Sequence, residues 1–125
     1  MAKVTVLTYV GEEWAAGRLT GDEPTEGKYI GWGSGNGTAI KAGEELFFEE
    51  SEDRAVGIVS LVGTGIDALY QVEGTLTADG TKTITEAATF TASTSGRMII
   101  HCTLDTGIPL DLDDQITFTF TIDPQ

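Results

Sequence analysis

The chain has 125 residues, the size of one ordinary domain, and 40% of them are hydrophobic, which is enough for a core and argues against wholesale disorder. Its formal net charge of −13 repels phosphate backbones and anionic headgroups, so nucleic acid and membrane surfaces make poor partners. No apolar run approaches the roughly 18 residues of a membrane span.

Taken in chain order, residues 3–10 read as a strand. Val4, Val6 and Val10 share one face, and Leu7 and Tyr9 bring apolar groups to the other as well. Residues 11–27 break the pattern: Glu12 to Ala16 suit a single helical turn, and Gly17, Gly21, Pro24 and Gly27 mark irregular chain. Residues 1–27 are therefore expected to form an extended N-terminal arm ahead of a β domain over 28–125. A lone strand cannot bury Val4, Val6, Leu7, Tyr9 and Val10. The arm is expected to pair with a sister subunit or another chain through them.

The stretch Lys28 to Thr38 starts as a strand and ends as a loop. Glycines at 31, 33, 35 and 37 leave one face of an extended chain without side chains. Either something packs closely there or the backbone turns where a Cβ is disfavoured, so Gly31, Trp32 and Gly33 are assigned structural roles. Residues 39–53 carry Glu44, Glu45, Glu49, Glu50, Glu52 and Asp53, interrupted by Leu46, Phe47 and Phe48. They read as a solvated loop or short helix pinned by those apolar residues.

Strands separated by turn signals follow. Residues 54–62 are apolar on both faces and suit a central strand covered on both sides. Residues 66–77 alternate, Asp79-Gly80 marks a hairpin, and residues 82–90 place Ile84, Ala88 and Phe90 on one face. Residues 97–104 group Met98, Ile100, Cys102 and Leu104, and residues 105–115 read as a connection. Residues 116–122 put Ile116, Phe118, Phe120 and Ile122 inward against outward threonines. Short strands with turns at this spacing predict an all-β fold, a β-sandwich of jelly-roll-like type.

Catalytic chemistry is sparse. The one histidine, His101, neighbours the one cysteine, Cys102. On a strand the two point to opposite faces, so they form neither a dyad nor a chelate. His101 reads as a surface residue and Cys102 as a small core residue. No catalytic residue, cofactor or metal site is assigned; the glycines lack the helix and lysine of a phosphate-binding loop, and Asp111 to Asp114 lacks the order of an EF-hand. Trp14, Tyr29 and Trp32 could stack on sugar rings, but packing in a core or interface is the preferred reading. One cysteine and an N-terminus without a long apolar core fit synthesis in a reducing cytoplasm.

Three separated segments carry a resemblance. Tyr29-Ile30-Gly31-Trp32-Gly33, Thr83-Ile84-Thr85-Glu86-Ala87, and Leu112 to Phe120 occur in that order. Over residues 28–122 the chain resembles small structural proteins of tailed bacteriophages, among them capsid decoration (cement) proteins and some tail or fibre components. The resemblance implies a β-sandwich, often a homotrimer, made in the host cytoplasm and seated on the virion against the major capsid protein. It names no catalytic residues. A tail or fibre component and a carbohydrate-binding β-sandwich module are the alternative readings.

Overall fold

The computed structural model describes residues 3–65 and 68–122. The start of the strand expected at residue 66 lies outside them. The fold is all-β, two antiparallel sheets packed face to face with one helix. In chain order the elements are β1 (Lys3–Leu7), α1 (Tyr9–Thr20), β2 (Tyr29–Gly33), β3 (Ala55–Val56), β4 (Ile58–Val62), β5 (Leu69–Thr77), β6 (Lys82–Phe90), β7 (Met98–Leu110) and β8 (Gln115–Ile122). The larger sheet runs β1-β7-β6-β2-β3 and the smaller β4-β5-β8.

Between the sheets lie Ile30, Trp32, Val72, Leu76, Ile84, Ala87, Ile100 and Phe120, with Phe118, Cys102 and Ile116 packed against them. Phe120 is buried, whereas Phe118 is half-buried and meets Trp32 edge to face at 6.4 Å. Burial of side chains of this size, at roughly 1.5–3 kcal/mol each, is the main stabilising contribution.

The N-terminal segment is not an extended arm. β1 pairs with β7 of its own chain, Val4 opposite Thr103 and Val6 opposite His101. The strand stops at Leu7 because Thr8 caps a helix: its Oγ1 accepts from the Gly11 N–H at 2.9 Å and donates to the Met98 carbonyl at 2.7 Å. Tyr9 and Val10 therefore open α1 rather than continue β1, and Gly21 at φ 84° ends it. Trp14 on α1 is 3% exposed and belongs to the same core as the sheets, its Nε1–H bonded to the Thr25 carbonyl. No separate body begins at residue 28. Of the residues assigned to arm docking, Leu7 packs on this core, Val6 and Val10 are half-buried, and Val4 and Tyr9 are exposed.

Residues 54–62 also differ from expectation. The extended chain changes sheets at Gly57, where an added Cβ would crowd Val72 and the Lys28 carbonyl, so β3 lies at the edge of one sheet and β4 at the edge of the other. β7 in turn absorbs residues expected in a connection; Pro109 is tolerated there because β1 ends its pairing at Leu104 and leaves that stretch at an edge.

Candidate functional site

The most concentrated chemistry lies on the outer face of the larger sheet, beneath residues 34–54. Two irregularities in the β6–β7 ladder decide which side chains arrive there. Ile84 pairs with Ile108 and Glu86 with Thr103, while Thr89 pairs with Ile100 and Phe90 with Met98. Each shift changes which residues share a face. Ile84 and Ile100 turn into the sandwich, whereas Ala88, Phe90 and Met98 form a second cluster with Leu46. Met98 thus parts from Ile100 and Cys102, with which its spacing had grouped it.

Glu86 and His101 stand in this second layer, each 1% exposed. His101 Nε2 lies 2.8 Å from Glu86 Oε1. An ionised carboxylate only accepts, so that nitrogen carries the hydrogen. Glu86 takes three backbone donors as well: the N–H of Phe47 at 2.9 Å on Oε1, and those of Phe48 at 2.9 Å and Gly35 at 3.1 Å on Oε2. Burial pushes the Glu86 carboxyl up, but the imidazole and the three N–H groups together outweigh it and hold the pKa below the ordinary carboxylate value. His101 is accordingly not the surface residue its place on the strand implied. Its face is roofed by the loop, and the Phe47 ring lies tilted against it at 5.3 Å.

The glycines explain how the roof comes so close. A Cβ on Gly33 would overlap the Phe48 carbonyl and stand 2.6 Å from Glu86 Oε2; one on Gly35 would stand 2.7 Å from the Phe48 N. At Gly31 it would stand 2.9 Å from Glu49 Oε2. The side-chain-free face is thus filled by the returning segment 47–49 and the Glu86 carboxylate. Of the two reasons considered for that face, close packing is the operative one at 31 and 33, since positive φ in this stretch belongs to Gly37.

Two further ionic ties hold the acidic run. Lys82 Nζ reaches Glu52, Glu50 at 3.3 Å and Asp79 at 2.9 Å. Glu52 also accepts from Trp32 Nε1 and the Asp79 N–H, both at 3.0 Å. Burial acts to raise the Glu52 pKa, yet Lys82 and these donors bring it down to about 2. Arg54 forms a two-pronged pair with Glu49 at 2.8 and 2.9 Å, donates to the Ala92 and Ser95 carbonyls, and lies over the Phe90 ring at 3.5 Å. The loop is therefore pinned by its carboxylates and by Leu46, while Phe47 and Phe48 contribute backbone N–H groups and are themselves 46% and 61% exposed.

A carboxylate beside an imidazole is the pairing used in acid–base catalysis, but here the four donors around Glu86 occupy its oxygens and the roof excludes solvent. The arrangement acts as a pin between loop and sheet. Among the described residues no cluster of three or more His, Cys, Asp or Glu side chains is placed to hold a metal ion, and no helix is long and apolar enough to cross a membrane. Trp14 and Trp32, considered for sugar stacking, are buried, and Tyr29 packs on the second cluster. Sequence reasoning missed Glu86 although a signal existed: it has the same strand parity as Ala88 and Phe90, a lone carboxylate in an apolar row. No family model, no curated protein and no solved structure matches the chain.

Proposed function

We propose that the chain is a virion structural protein, a capsid decoration protein that binds the outer surface of a phage head and stabilises contacts between major capsid subunits. The three-segment resemblance is what suggests the class. The observation that carries the reading is an acidic exterior broken by exposed apolar side chains, among them Ile40, Phe47 and Phe48 on the roofing loop and Val56, Ile58, Leu61 and Val62 along one sandwich edge. Apolar groups left in water on a chain of net charge −13 favour a preformed protein surface over nucleic acid. The buried ionic groups serve the fold, consistent with a protein that works by covering surface rather than by turnover. A decoration protein of this kind opposes separation of neighbouring shell subunits by the area it buries across them.

Negative-stain imaging of virions labelled through this chain tests the reading. Label distributed over the head is the expected result. Label restricted to the tail would replace it with the tail or fibre reading, and absence from the particle would remove both.

A further inference from the structure

We infer that Asn36 is a site of spontaneous covalent modification, at which the Gly37 backbone nitrogen closes on the side-chain amide carbon and expels ammonia. Asn36 is the only asparagine in the chain, and a glycine follows it. Asparagine is thermolabile because the next backbone nitrogen can reach its Cγ in a five-membered ring. A Cβ on the following residue hinders that approach, and glycine has none.

The structure leaves this ring closure open. Asn36, Gly37 and Thr38 are exposed and belong to no helix or strand. Among the described residues the Gly37 N–H meets no acceptor and the Asn36 side chain no partner, so no hydrogen bond has to break first. Position 37 is also held to glycine by the fold. Its φ is 145°, and a Cβ there would stand 2.7 Å from the Phe47 ring. The one comparable pair in the chain, Asp79-Gly80, is engaged instead: the Asp79 carboxylate accepts from Lys82 at 2.9 Å and from Ser51 at 3.3 Å.

The step balances within the chain. A bond forms between Gly37 N and Asn36 Cγ, the bond from Cγ to the side-chain nitrogen breaks, and the Gly37 amide proton leaves with the ammonia. Water then opens the succinimide. Opening at Cγ gives aspartate, and opening at the main-chain carbonyl gives isoaspartate, whose backbone runs through Cβ. Either product adds one negative charge to the formal −13 and a mass of about 1 Da.

The site matters because the tip is clamped on both sides. Gly35 donates to Glu86 Oε2 at 3.1 Å, and its carbonyl accepts from Thr85 Oγ1 at 2.7 Å. Ala39 donates to Thr103 Oγ1 at 3.0 Å. Isoaspartate lengthens the backbone between these clamps by one atom, so conversion strains the Glu86 pin. The roof thereby carries a slow, one-way change that does not depend on the decoration role.

Ageing the purified protein in warm, mildly alkaline buffer tests this, with peptide mapping and isoaspartyl methyltransferase labelling as readouts. Conversion is expected at residue 36, at a rate within about threefold of that in denaturing urea, because no opening step precedes it. Asn36→Gln is expected to remain unlabelled with an unchanged melting temperature. The isoaspartate fraction, separated by anion exchange, is expected to melt below the fresh protein. Native protein converting at least tenfold more slowly than the denatured chain, comparable isoaspartate at residue 79, or labelling that persists in Asn36→Gln would each overturn the assignment. An isoaspartate fraction that melts like the fresh protein would overturn its link to the roof.

Discussion

Glu86 shows how much one side chain organises. Its carboxylate collects a hydrogen bond from each of Gly35, Phe47, Phe48 and His101, tying the two ends of the roofing loop to β6 and β7. Hydrogen bonds to charged groups contribute roughly 1.5–3 kcal/mol each. Removing one partner of a buried pair costs about 3–5 kcal/mol. Glu86→Gln keeps the shape but turns an amide N–H₂ toward backbone donors, so urea unfolding is expected to show a loss of about 3 kcal/mol. A loss below about 1 kcal/mol would mean that the loop is held elsewhere. The pH dependence has a definite sign. Both Glu86 and Glu52 have folded pKa values below the ordinary 4.5, so their contribution is complete above that value and lost as pH falls through the folded ones. For Glu52 the window runs from 4.5 down to about 2. Melting temperatures measured from pH 6 to pH 2 are expected to fall across that window, and less steeply in Glu52→Gln. The parity of Glu86 was legible in the sequence. The burial of His101 was not, because it depends on a loop folded back from residues 46–49 and on a ladder irregularity near Ile99 that no local pattern announces.

At the scale of elements, alternating apolar residues made β5 and β8 readable, since each has one face turned to the core, whereas in β6 the expected row of Ile84, Ala88 and Phe90 is split by the ladder shift between Ile84 and Glu86, Ile84 turning into the sandwich and Ala88 and Phe90 to the outer cluster. Gly31 and Gly33 announced a close approach, though not what approaches. Gly33→Val would drive a branched side chain into the Phe48 carbonyl and the Glu86 carboxylate. Overpacking of this kind costs about 1–3 kcal/mol, and lifting the loop adds the loss of its hydrogen bonds. The expected readout is a destabilisation of at least 2 kcal/mol, together with faster amide exchange at Phe47 and Phe48; neither change would show the close packing to be incidental. α1 was hidden because Gly11 and Gly17 lower helix propensity and its apolar residues do not line one face. Gly11 is there because a Cβ would overlap the Ile99 carbonyl of β7. β1 was read as a docking strand because its partner is nearly a hundred residues away; its apolar pattern is the same whether the neighbour belongs to its own chain or another. Deleting residues 1–27 strips an edge from β7 and removes Trp14 from the core, so the truncated chain is expected to lose its cooperative unfolding transition. A truncated chain that still melts cooperatively would restore a boundary at residue 28.

The whole molecule is a two-sheet sandwich whose larger sheet is covered on both faces, by the smaller sheet on one and by the roofing loop on the other. The sandwich class followed from strand spacing, whereas the edge position of β4 did not. Two apolar faces read as central burial, and here they mark an exposed edge that continues from β3 after a change of sheet at Gly57. Charge, exposed apolar groups and internally saturated ionic ties together favour a protein that acts by occupying a surface. Copy number distinguishes this role from its nearest alternative, because a shell offers many equivalent seats and a tail few. The most direct measurement is therefore the number of copies per particle, from quantified gels of purified virions with the major capsid protein as internal standard. Hundreds of copies per head are expected; a handful, or none, would contradict a decoration role.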